Sequence, residues 1–251
     1  MSRLLAVTII GFLTGMIGTG LGGFLTMLLK NPSKRFMAVL LGFTSGVMLS
    51  VVCFDLLPEA FKLGSVWISF VGMFVGVGLI LLIDEFIPNE LSMTKNARNR
   101  SETDYGFIKS GILLGIGIAI HNFPEGLAVG SGFAANNALG LGLAIVIALH
   151  DVPEGVAMAA PLKMGGINKF RVLIYTILAG IPMGIGSFIG EAVGEISPIF
   201  ICLCLSFAAG SMLFITCGEL IPKSQSIYKG RISTIGMIVG IMAGIFVSSV
   251  F

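Results

Sequence analysis

Two short runs carry most of this sequence's capacity for coordination chemistry. HNFPEG occupies residues 121–126 and HDVPEG residues 150–155. Each places a histidine and a glutamate at i and i+4, on one face of a helix. Each adds a polar residue at i+1, Asn122 or Asp151, about 100° further round. The chain has 2 histidines, His121 and His150, and each opens one of the runs. Imidazole nitrogen combined with carboxylate oxygen suits zinc and its first-row neighbours. A proline precedes each glutamate, Pro124 before Glu125 and Pro153 before Glu154. Proline lacks an N–H and clashes with the carbonyl four residues back. Pro124 is therefore expected to bend its helix and free the carbonyl of Ile120, and Pro153 that of Leu149.

The elements that hold these runs are membrane helices. Of 251 residues, 55% are hydrophobic and 11% charged, where a soluble domain carries about 25% charged. Mean hydropathy is +1.01. Eight apolar runs reach the roughly 20 residues that span a bilayer: about 4–29, 36–57, 65–87, 108–129, 139–160, 172–194, 198–221 and 232–251. The first is too long for a signal-peptide core. The fold class is an all-α integral membrane protein, one eight-span domain over 1–251, with a polar cytoplasmic loop at about 88–107. The 35 glycines suit close helix packing in lipid. Cys53, Cys202, Cys204 and Cys217 form no CxxC pair, which argues against a disulfide framework or zinc ribbon. No nucleic-acid partner is expected.

The two runs fall in spans 4 and 5. A charge at the bilayer centre costs at least ~2.5–3.5 kcal/mol on insertion scales. Glu125, Asp151 and Glu154 each meet that cost, and no Lys or Arg lies mid-span to offset it. A bound divalent cation is the natural compensation.

Thirteen basic residues fall in the loops after spans 1, 3, 5 and 7: Lys30, Lys34, Arg35, Lys95, Arg98, Arg100, Lys109, Lys163, Lys169, Arg171, Lys223, Lys229 and Arg231. Only Arg3 and Lys62 lie on the other side. The excess marks the cytoplasmic face, so both termini are expected to be extracytoplasmic.

FTSGVMLSVVCFDLLPEA at 43–60 matches FAAGSMLFITCGELIPKS at 207–224, an offset of 164. VGMFVG (71–76) aligns with IGMIVG (235–240) at the same offset, and GTGLGGF (18–24) more weakly with PMGIGSF (182–188). Spans 1–3 thus repeat as spans 6–8. Corresponding spans are five apart, so the copies insert with opposite orientation; spans 4 and 5 form a second inverted pair. Inverted repeats are typical of secondary transporters, with the substrate site near midplane.

Other residues have two readings. Glu191, in GSFIGEAVGE of span 6, is a metal ligand or a helix-end carboxylate. Asp55 and Glu219, related by the repeat, are charged mouths of a pathway or solvated helix ends. Met48 is a soft ligand or a packing methionine. Asp84 and Glu85 read as solvated residues at the end of span 3.

With these motifs the sequence resembles the bacterial branch of the ZIP family of metal transporters. The resemblance covers essentially the whole chain: eight spans, outward termini, the loop between spans 3 and 4, and the paired HNxPEG-like runs. It implies uptake of zinc, and in some members iron, manganese, cobalt or cadmium, into the cytoplasm across the plasma (inner) membrane. It implies a binuclear centre between spans 4 and 5. One ion would use His121, Glu125, His150 and Glu154, with Met48 nearby. The second would use Asn122, Asp151 and Glu191, bridged by Glu125 and Glu154. Transport would proceed by alternating access, spans 1, 4, 5 and 6 moving against the rest. The metal is cargo; no catalytic cofactor is expected, and a homodimer is compatible. The family usually has proline after its span-6 glutamate, where this chain has Ala192, and Glu195 competes with Glu191 for that role. The loop between spans 3 and 4 lacks the histidines many members carry. A selective metal channel would use the same ligands. An intramembrane metalloenzyme is disfavoured, since HExxH is absent.

Overall fold

The structure is a computed structural model and describes residues 2–28, 33–86, 100–194, 196–228 and 230–250, the side chains of 83–86, 100–106, 110, 219 and 250 excepted. The described residues contain helices and no strand. The helices are α1 (Arg3–Leu28), α2 (Lys34–Leu63), α3 (Val66–Phe86), α4 (Arg100–Ala135), α5 (Asn137–Met164), α6 (Lys169–Gly194), α7 (Pro198–Ile227) and α8 (Ile232–Val250). Seven are long and apolar enough to cross a membrane, and α3 contributes the shorter apolar helix Val66–Leu82.

The helices outrun the apolar runs at several ends. α2 continues to Leu63, α4 to Ala135 and α7 to Ile227. α4 also begins at Arg100, inside the expected polar loop. The part of the loop at 88–99, and with it Lys95 and Arg98, lies outside the described residues, as do Lys30, Glu195, Lys229 and the side chains of Asp84 and Glu85.

Each side of the molecule facing away from the bundle is a stripe of large apolar side chains. Leu5, Ile9, Leu13, Ile17 and Leu21 recur every fourth residue along α1, Trp67, Phe70, Phe74 and Val75 line α3, and Ile235, Ile238, Met242 and Phe246 line α8. In water such a surface would aggregate; against lipid tails it is at home.

Inside, α1, α4, α5 and α6 pack on one another, while α2 pairs with α8 and α3 with α7. Lipid is as apolar as the core, so backbone approach at small residues drives this packing. A Cβ on Gly46 would strike the carbonyl of Met237, and one on Gly210 that of Met73. Gly76 meets the carbonyl of Phe207, and Gly240 that of Phe43, in the same manner.

α4 and α5 stay α-helical through Pro124 and Pro153. The expected break appears in α2 and α7 instead. Both widen into a π turn, at Val51–Leu56 and Thr216–Leu220. Leu57 N–H bonds to the Val52 carbonyl and Ile221 N–H to that of Thr216, each five residues back. Pro58 and Pro222 follow directly. Neither offers an N–H to the carbonyl four residues behind it, and widening the turn relieves the clash.

Candidate metal centre

Glu125 in α4 and His150 and Asp151 in α5 bring ligand atoms within 4.8 Å of one another. All three are buried, with exposures of 1%, 0% and 0%. His150 Nε2 lies 3.1 Å from Glu125 Oε1 and 3.7 Å from Asp151 Oδ1. Glu154, one turn beyond His150 and 3% exposed, is close enough to act electrostatically on His150 and Asp151. Two carboxylates and an imidazole thus converge in a water-poor interior, with the Glu154 carboxylate one helix turn beyond His150.

Several of these donors have spare capacity. Among the described residues, Glu125 Oε2 and both Asp151 oxygens have no hydrogen-bond partner. Asn122 donates from Nδ2 to the Ala179 carbonyl at 2.8 Å, and its Oδ1 has no hydrogen-bond partner among the described residues. Buried oxygens in that state are costly. A divalent cation satisfies several at once, and the N/O donor set fits zinc.

The motif glycines set the depth at which neighbouring helices touch. A Cβ on Gly155 would strike the carbonyl of Thr19 in α1, and one on Gly126 that of Met183 in α6. From the other side, Gly22 of α1 abuts Val152 and Gly155, and Gly186 of α6 abuts Phe123 and Gly126. α1 also closes over Asp151, where a Cβ on Gly18 would stand 2.6 Å from Asp151 Cβ and 3.0 Å from Oδ2. Ser187 Oγ donates to the Gly126 carbonyl at 3.1 Å. Helix α1 therefore braces the run in α5, and α6 braces the run in α4.

The remaining candidates are dispersed. His121 is half-buried one turn from Glu125 and outside the Glu125–His150–Asp151 trio. It lies within electrostatic reach of Lys223. Met48 is fully buried in the apolar core, and its Sδ accepts a hydrogen bond from Thr216 at 3.5 Å. Glu191 is fully buried on α6 but stands apart from the trio, its Oε1 2.7 Å from Arg3 Nε. Asp55 lines a cavity of about 220 Å³ with Glu59, Lys62, Asn136 and Val146, and Ser248 is hydrogen-bonded to it. Val146 is one turn before His150, so the cavity reaches within roughly 6 Å of helix rise of the trio. The backbone of Glu219 forms part of the second π turn; its side chain lies outside the described residues. Arg3 is the site-adjacent residue that the reading of the sequence missed. It registered there only as a surface charge, because its partner lies far along the chain.

The family model for the ZIP zinc transporter matches residues 88–250. The chain belongs to the ZIP zinc transporter family. Its relatives include a protein named zinc transporter ZupT from Chlorobium limicola, 34% identical over 255 residues and covering 96% of both chains. The proteins of that name from Clostridium perfringens and Corynebacterium glutamicum are 31% and 35% identical. They cover 96% and 89% of this chain, and 94% and 91% of their own length. With its membrane-length helices, this ZIP-family chain is a multi-pass membrane protein.

Proposed function

We propose that the protein carries divalent metal ions, zinc foremost, across the plasma (inner) membrane into the cytoplasm, through a site between α4 and α5. The observation that carries this is the buried convergence of Glu125, His150 and Asp151 with unbonded oxygens. Relatives named zinc transporters, alike over most of their length, support zinc as the cargo. His121, Glu125, His150 and Glu154, with Met48 nearby, would hold the first ion. Asn122 and Asp151 would hold a second, bridged by Glu125 and Glu154, with Glu191 available only if Arg3 releases it. Asp55 and Glu219 would line the two mouths.

In this reading the whole chain is one transport domain and not an enzyme, its termini face outward, and two copies can pair. Transport runs by alternating access between inverted repeats. The glycine contacts support the repeat: Gly46 and Met237 exchange with Gly210 and Met73 under the 164-residue offset, and Gly22 with Gly186 as their partners shift by 29. Such an arrangement suits a secondary transporter with its site near midplane.

The test is zinc uptake into proteoliposomes. Wild-type protein is expected to show saturable uptake and Glu154→Ala none. Uptake by Glu154→Ala at the wild-type rate overturns the site, and flux that does not saturate favours a channel.

A further inference from the structure

Arg3 opens α1 with its side chain half in solvent, and from there it reaches a carboxylate with no exposure at all. Its Nε lies 2.7 Å from Glu191 Oε1, the two side chains being 52% and 0% exposed. The same guanidinium donates to the Phe133 carbonyl near the end of α4. One side chain thus joins α1, α4 and α6.

The backbone fixes where Glu191 stands. Gly130 of α4 faces its N–H, at 2.8 Å from a would-be Cβ. Gly130 is five residues beyond Glu125, about 7.5 Å along the helix. The Glu191 backbone therefore lies more than a turn of α4 beyond Glu125, and its carboxylate meets the guanidinium of Arg3. A buried carboxylate needs a counter-cation, and this one has it covalently supplied. A tethered group acts at a far higher effective concentration than a free ion.

We propose that Arg3 is a tethered cation that holds the Glu191 carboxylate in place of a metal ion, and so confines metal to the two motif runs. The inference rests on the reading of those runs as the metal site. It also alters the charge there. With Glu191 neutralised by Arg3, Glu125, Asp151 and Glu154 supply three negative charges, which one divalent ion leaves at −1 and two leave at +1. Removing Arg3 adds a fourth negative charge and room for another ion.

The experiment is zinc titration of the purified full chain in detergent, by calorimetry and by metal analysis after dialysis. The variants are Glu191→Gln, Arg3→Gln and both together, with Glu154→Ala as the control on the motif site. Glu191→Gln is expected to keep the wild-type zinc stoichiometry and an affinity within about twofold. Arg3→Gln is expected to gain one zinc equivalent, which the double variant loses again. Loss of an equivalent, or of about tenfold in affinity, in Glu191→Gln overturns the proposal by making Glu191 a native ligand. Wild-type stoichiometry in Arg3→Gln overturns it too, leaving the pair a structural clip. Arg3→Met keeps the apolar stem where Arg3→Gln does not fold, and the Glu191→Gln arm needs neither. Unchanged zinc binding by Glu154→Ala would instead sink the motif site, whatever the Arg3 variants do.

Discussion

His150 Nε2 and Glu125 Oε1 meet at 3.1 Å across two consecutive helices. Two ligands this close serve one ion, so their contributions to binding are coupled. His150→Ala and Glu125→Ala are each expected to cut zinc uptake by at least about 10–100-fold, the range seen even for groups that only support metal ligands. The double variant is expected to lose less than the sum of the two, with a coupling of about 0.5–3 kcal/mol. Zinc affinities of the four proteins in one detergent close the cycle.

Metal binding competes with protons, because imidazole and carboxylate bind zinc only when deprotonated. Zinc affinity is therefore expected to fall as pH drops from about 8 to about 5, and binding should release protons. Calorimetry in two buffers of different ionisation enthalpy measures that release. A heat independent of buffer would contradict it.

Glycines with and without clearance make opposite predictions. A Cβ at Gly155 strikes the Thr19 carbonyl, whereas one at Gly117, also in the bundle, meets nothing within 4 Å. Gly155→Ala is expected to cost about 1–3 kcal/mol through overpacking and to depress zinc affinity with it. Gly117→Ala is expected to be neutral or stabilising by up to about 1 kcal/mol, since alanine is the better helix former. Thermal unfolding in detergent compares the two.

At the Asp55 cavity, Lys62 Nζ lies 3.1 Å from Glu59 Oε2 and balances its charge. Asp55 then supplies the net negative field. Asp55→Asn is expected to raise the KM for zinc a few-fold and leave kcat unchanged, with the difference shrinking as salt screens the field. Uptake across a zinc series at two ionic strengths reads this directly.

Much of the candidate site was legible because its signals are local. His and Glu at i and i+4 share a helix face wherever the helix goes, and spans 4 and 5 are consecutive, so Glu125 and His150 had little freedom to part. The outlying candidates depended on more. Glu191 reads as a metal ligand or a helix-end carboxylate until Arg3, 188 positions earlier, pairs with it. His121 sits in the right motif and on Glu125's helix face, yet it is not among the three residues whose ligand atoms lie within 4.8 Å of one another. The eight apolar helices among the described residues followed from hydropathy alone. The π turns did not: Pro124 and Pro153 sit in an unbroken α-helix, whereas Pro58 and Pro222, matched by the 164-residue repeat, follow a widened turn. The repeat pairs Pro58 with Pro222, but proline chemistry alone predicts a bend at all four.

The backbone contacts at Gly22, Gly46, Gly186 and Gly210 also bear on how the gene tolerates change. Every missense substitution of a glycine codon adds a Cβ, whatever else it adds. At these four positions the Cβ alone meets the backbone of a neighbouring helix, so chemically mild and severe replacements are equally excluded. They form a set of codons where mutational drift has no gentle step, although none of them touches an ion.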